Sequence, residues 1–232
     1  MEQAVQPEAA APVGKRTRRR ALSAEETRHR ILDVAEDLFG QRGVYAVSLR
    51  EMNAVCKISQ GVLHYHFGGR EALVEAILDR HLPAISEVRR RKIDALVATG
   101  AQVGARQVAE VLVEPLAWLA MSSAAGLRFV RFLGRLHQDN NPLYIELVSK
   151  YSRGSNFAVL LARCWPELDY RLVETALGMG LDVMFTTLGA LDRPNRSWQS
   201  ALGAAPLSAE SRVELLIAFI ARGLEQIAGQ VG

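Results

Sequence analysis

The chain has 232 residues, 49% of them hydrophobic, which is material for one large core or two smaller ones. No apolar run reaches the ~20 residues that a membrane-spanning helix needs, and two cysteines, Cys56 and Cys164, are too few for a disulfide framework. A formal net charge of +3 is too small to identify a partner, so the placement of charge carries the argument rather than its sum.

Residues 1–14 are rich in Ala, Pro, Glu and Gln and lack the pattern of a secretory signal or transit peptide, so the chain is expected to be cytoplasmic, with a disordered tail. Lys15, Arg16, Arg18, Arg19 and Arg20 follow within six positions and contain no acid. Residues 1–20 therefore form a basic arm suited to phosphates or a minor groove, or else a solvated tail. Ser23-Ala24-Glu25-Glu26 has capping-box spacing, and Ile31, Val34, Ala35, Leu38 and Phe39 repeat at helical spacing up to a stop at Gly43. A second capping box, Ser48 to Glu51, opens a short helix with Leu49, Met52 and Val55 on one face. Cys56-Lys57-Ile58 is a tight connection, and Ser59 is placed to cap a two-turn helix over 60–66. Leu73, Ala76 and Ile77 mark a fourth helix, which completes a helical domain over 21–80.

Residues 81–232 show no strand alternation, and the whole chain reads as all-α. The spacing predicts helices at 83–99, 104–121, 123–138, 142–164, 167–192 and 208–229, with Pro83 marking a kink or break after the fourth helix, Pro115 bending a helix and 193–207 forming the longest loop. The run Arg89-Arg90-Arg91-Lys92 reads as a solvated helix face.

Two short helices joined by a three-residue turn have the form of a helix-turn-helix, whose second helix offers polar groups to base edges in the major groove. Gln60 and His64 share a face there, with Gly61 between them permitting close approach; Leu63 and Phe67 anchor the opposite face. The hydroxyls of Ser48 and Ser59 sit at helix N-termini, which favour phosphate. Arg50 and Arg70 could also meet phosphates, and Arg50 a guanine. Cys56, His64 and His66 do not make a metal site, since residues two apart on a helix diverge. No catalytic or cofactor signature is present in the second half, so neither an enzyme nor a cofactor is expected.

Ser48-Leu49-Arg50-Glu51-Met52, Ser59-Gln60-Gly61-Val62-Leu63-His64-Tyr65-His66-Phe67 and Arg70-Glu71-Ala72-Leu73 together resemble the TetR/AcrR family of regulators over about sixty residues. The resemblance implies an all-helical homodimer that binds a double-stranded operator, with base contacts from Arg50, Gln60, Gly61 and His64 and phosphate contacts from Ser48, Ser59, Tyr65, His66 and Arg70. By spacing, His66 reads more as a structural residue of the domain interior. Lys57, Val62 and His64 depart from the family pattern, Lys57 standing where the turn usually has glycine.

The resemblance also places a small-molecule effector between the central helices. There Trp118, Met121, Phe129, Phe132, Tyr144 and Phe157, with Arg128 and His137 as polar anchors, are the expected pocket residues, although each also suits an ordinary core. A small hydrophobic, acyl-type ligand would suit such walls. Leu177, Gly180 and Met184 in one late helix, with Leu216, Ile220 and Leu224 in the other, are expected at the dimer interface; burial within one chain is the alternative.

Overall fold

A computed structural model describes residues 23–154, 156–165, 167, 169–193 and 205–228. The arm with Arg18, Arg19 and Arg20, and most of the expected 193–207 loop, lie outside the described residues. Among the described residues there are ten helices and no strand.

Helix α1, Ala24–Arg42, begins as its sequence dictates: Ser23 Oγ accepts from Glu26 N at 3.1 Å and Ser23 N donates to Glu26 Oε2 at 2.6 Å. It ends at Gly43, whose φ of 89° is a conformation that side chains disfavour. Helices α2, Leu49–Cys56, and α3, Gln60–Phe67, are two turns each and cannot bury both ends alone. Ile31, Ala35 and Phe39 of α1, Met52 of α2, Leu63 of α3 and Leu73 and Ile77 of α4 enclose one core, each of the larger side chains contributing about 1.5–3 kcal/mol by burial.

Helix α4 runs from Arg70 to Ala98 without interruption, so of the kink or break expected at Pro83 the break does not occur. Pro83 is exposed and its ring is accommodated on the outer face, while Leu78, Leu82 and Ile85 hold both sides of it against the core. One rigid element therefore joins the N-terminal head to the larger helical body. Helices α5, Ala105–Ser122, and α6, Ala124–Gln138, turn back on each other at Ser123, whose side chain caps α6. A β-carbon on Gly126 would stand 2.0 Å from the Leu119 carbonyl oxygen, so this hairpin admits only glycine there.

The expected helix 142–164 is two, α7, Pro142–Gly154, and α8, Phe157–Cys164, separated where Asn156 takes a left-handed conformation with φ of 61°. Helices α9, Tyr170–Leu188, and α10, Ala209–Ala228, complete the body. Arg212 ties the end of α9 by donating to the carbonyls of Ala190 and Arg193, each at 3.0 Å.

Head and body meet where α6 crosses α1. Phe132 stacks on Phe39, Phe129 stacks on His81 with ring centres 4.0 Å apart, and His81 Nε2 lies 3.1 Å from Glu36 of α1. A β-carbon on Gly40 would meet Phe132 backbone at 3.0 Å, which shows how closely the two helices approach. Cys56 and Cys164 are buried and unbridged, and burial pushes the Cys164 thiol up to about 11.

Candidate DNA interface and ligand cavity

The α2–α3 unit is braced from behind. Ser48 Oγ accepts from Glu51 N at 3.1 Å, but the Glu51 carboxylate turns to Arg42 rather than back to Ser48, so only half of the expected capping box forms. Lys57 closes α2 in the left-handed region, φ 55° and ψ 45°, where a side chain costs roughly 1–2 kcal/mol. The turn thus keeps its shape without glycine, at some strain. Arg28 lies over the Phe67 ring at 4.8 Å and fixes the end of α3 to α1.

With its inner face anchored by Leu63 and Phe67, α3 turns Gln60, Gly61, His64 and Tyr65 to solvent. Ser59 occupies the cap position, yet its side chain makes no capping hydrogen bond, so the hydroxyl remains open to an outside acceptor. Arg50 is exposed on α2. A β-carbon on Gly61 would meet nothing nearer than Ser59 Oγ at 3.9 Å, so nothing in the fold requires glycine there. Tyr65 is 83% exposed, an unusual position for an aromatic side chain unless something outside covers it. His66 is half-buried, between Tyr65 and Phe67, in agreement with a packing role.

Arg70 differs from the expectation of a free phosphate ligand. Its Nη2 donates to the Val47 carbonyl at 2.8 Å, its Nε is buried, and its guanidinium faces Tyr45. It holds the loop before α2 in place. Arg42, donating to the Ala46 carbonyl at 3.2 Å while paired with Glu51, does the same from α1. Neither bracing role was legible in local spacing, because both act across the 43–48 loop.

The body encloses a cavity of about 120 Å³ among α4 to α9. Tyr144 and Phe157 line it as expected, together with Leu82, Ile85, Leu116 and Phe185, which spacing did not single out. The other expected pocket residues lie elsewhere. Phe129 and Phe132 fill the head–body junction, because the face of α6 that carries them meets α1 and α4. Arg128 lines a surface hollow between α1 and α6, alongside Asp33 and Asp37. Trp118 is 68% exposed and Met121 43%, both on the outer side of α5; Trp118 borders a surface groove with Val88 and Pro115. His137 stands behind the cavity wall, 2.9 Å from Asp182 and against the rings of Tyr144 and Phe185.

Arg89 was expected on a solvated face and instead enters the cavity wall. Its place seven residues after Leu82 and four before Ile93 on the apolar stripe of α4 is the signal that could have found it. Burial draws its guanidinium down to about 10, and it donates to the Leu112 carbonyl at 3.0 Å. Burial likewise raises the Tyr144 phenol to about 12.

The residues expected at a dimer interface also face inward. Leu216, Ile220 and Leu224 are buried in the single chain, Leu177 and Met184 line the cavity, and a β-carbon on Gly180 would touch Ile220 at 3.4 Å. They join α9 to α10 and to the body. The exposed apolar stripe lies about a quarter-turn away, at Leu172 and Met179 of α9 and Leu215 and Phe219 of α10.

Residues 31–77 match the family model for the N-terminal domain of bacterial regulatory proteins of the tetR family. Residues 31–77 thus carry the sequence of a tetR-type N-terminal domain. Over 55 residues it is 40% identical to the HTH-type transcriptional regulator UidR of Escherichia coli, covering 24% of this chain and 28% of UidR. Over 86 residues it is 34% identical to an HTH-type transcriptional repressor of Mycobacterium tuberculosis, covering 33% of this chain and 46% of that protein. The similarity to curated relatives thus spans less than half of their length. A tetR-family regulator structure from Streptomyces coelicolor matches 90% of this chain and 85% of its own at 17% identity with a TM-score of 0.50, a likeness of fold that extends beyond the head.

Proposed function

We propose that this chain is a tetR-family, sequence-specific DNA-binding transcriptional regulator, a homodimeric repressor that reads a palindromic operator and is released by a small hydrophobic effector of acyl type. The observation that carries the reading is the outer face of α3: Gln60, His64 and Tyr65 exposed, the Ser59 hydroxyl uncommitted, and Gly61 where nothing in the fold requires glycine. Arg50 and Gln60 supply base contacts together with Gly61 and His64, while Ser48, Ser59 and Tyr65 meet the backbone. Arg70 orients the loop ahead of α2.

Residues 23–80 act as the reading head, and a second copy docks on the stripe Leu172, Met179, Leu215 and Phe219. Gly178 and Gly223, with open space beyond them, let helices of the two copies approach closely. The continuous α4 carries the signal, since its first turns support α3 and its middle lines the cavity. A ligand that prefers one spacing of the two heads shifts operator affinity by its differential binding, typically ~1–3 kcal/mol.

The test is the joint substitution Arg50→Ala with Gln60→Ala, read by fluorescence anisotropy on an operator selected by the unaltered protein from a random DNA pool. Each base contact is worth ~1–3 kcal/mol, so losing two should weaken specific binding by roughly thirtyfold to twenty-thousandfold per half-site while the thermal unfolding midpoint stays in place. Undiminished operator binding would overturn the reading.

A further inference from the structure

Of the four consecutive basic residues Arg89 to Lys92, three are paired with carboxylates on the outside: Arg90 with Glu87 and Asp94, Arg91 with Glu87, and Lys92 with Glu114. Arg89 alone turns inward, and among the described residues no carboxylate pairs with it. One donor goes to the Leu112 carbonyl, whereas Nε is sealed from solvent without a hydrogen-bond partner. Arg89 is half-buried as a whole, but a guanidinium drawn out of water without a counter-charge is costly, and burial lowers it only to about 10, so it stays cationic at neutral pH. Its surroundings are apolar side chains such as Ile85, Leu116 and Met184, with the Tyr144 hydroxyl close by. Ser86 is already committed, donating to the Tyr151 carbonyl at 2.9 Å.

We infer that the α4–α9 cavity is built for a small apolar monocarboxylate, whose carboxylate is held by Arg89 and whose body is held by the apolar walls. The planar guanidinium fork matches a carboxylate in geometry and supplies its missing charge. The size of the cavity, about 120 Å³, sets the length of the ligand. An apolar cavity of ~150 Å³ accepts benzene, so this smaller one suits a short acid of propionate or butyrate size, and benzoate or a longer-chain acid is too large. A phosphate monoester, with more oxygens to satisfy, finds too few donors. This inference rests on the effector reading of the cavity and narrows it to an acid.

Calorimetric titration of the full chain at neutral pH with propionate, butyrate and their uncharged amides, propionamide and butyramide, tests it. At least one acid should bind about tenfold or more tightly than its amide, and Arg89→Met should remove that preference. Should Arg89→Met fail to fold, Arg89→Lys carries the test: it keeps the charge but loses the fork, so the acid should bind more weakly yet still better than the amide. Equal binding of acid and amide, or no binding of either acid at millimolar concentration, overturns the inference. An acid that binds through Arg89 without altering operator affinity leaves it standing and removes the regulatory reading. Amides that release the operator as well as the acids do the reverse.

Discussion

The N-terminal head and the cavity-bearing body are built from the same kind of amphipathic helix, yet their candidate functional surfaces arise in opposite ways. In the head, short helices are fixed by local contacts, Ser23 with Glu26, Ser48 with Glu51 N and Lys57 in the turn, and the working side chains point outward. In the body, the cavity takes its wall from six helices, and its one buried cation comes from a run that otherwise faces solvent. A surface set by neighbours in sequence can be read from sequence. A cavity set by neighbours in space cannot.

The largest expected effect probes where the two regions join. Phe132→Ala removes a fully buried ring from between Phe39 and Phe129, and should cost about 3–5 kcal/mol, read as a lowered thermal unfolding midpoint. If head and body were independent, so central a loss would leave the head's melting unchanged; a concerted drop in both is expected.

Next comes a pair of substitutions one turn apart on α10 that separates folding from assembly. Leu216→Ala strikes the inward face and should cost about 2–5 kcal/mol of stability. Phe219→Glu strikes the outward stripe, where the side chain is 65% exposed in the single chain, and should leave the fold intact while sedimentation shows dissociation to monomers. A Phe219→Glu protein that remains dimeric would move the interface away from this stripe.

Smaller effects sharpen the account of the head. Gly61→Ala should raise stability by up to about 1 kcal/mol, because the helix gains a better former and the methyl meets nothing. The same change should weaken operator binding, and the opposite signs of the two effects are the signature of a glycine kept for a ligand. Lys57→Gly relieves the left-handed turn and should stabilise by roughly 1 kcal/mol in denaturant unfolding, with little change at the base-reading face.

Helix positions in the head were legible because caps, stops and apolar periodicity agree there. The all-helical body was legible for the same reason, but three of its features were not. Pro83 signals a break by its chemistry, and packing on both sides overrides it. Both α9 and α10 carry apolar residues around more than one face, so periodicity shows that they are buried without showing whether the chain itself or a second copy covers Leu216 and Ile220. Phe129 and Phe132 look like pocket residues by type, and only the close crossing of α6 over α1 at Gly40 assigns them to the junction.

The most direct test of the central claim is selection of bound sequences from a random DNA pool by the purified protein, followed by titration of the enriched site at two salt concentrations. The account predicts a near-palindromic consensus whose two halves are about one helical turn apart, bound at least ~10³-fold more tightly than pool DNA. Binding without any consensus, falling away uniformly as salt rises, would contradict it and reduce α3 to a nonspecific phosphate contact.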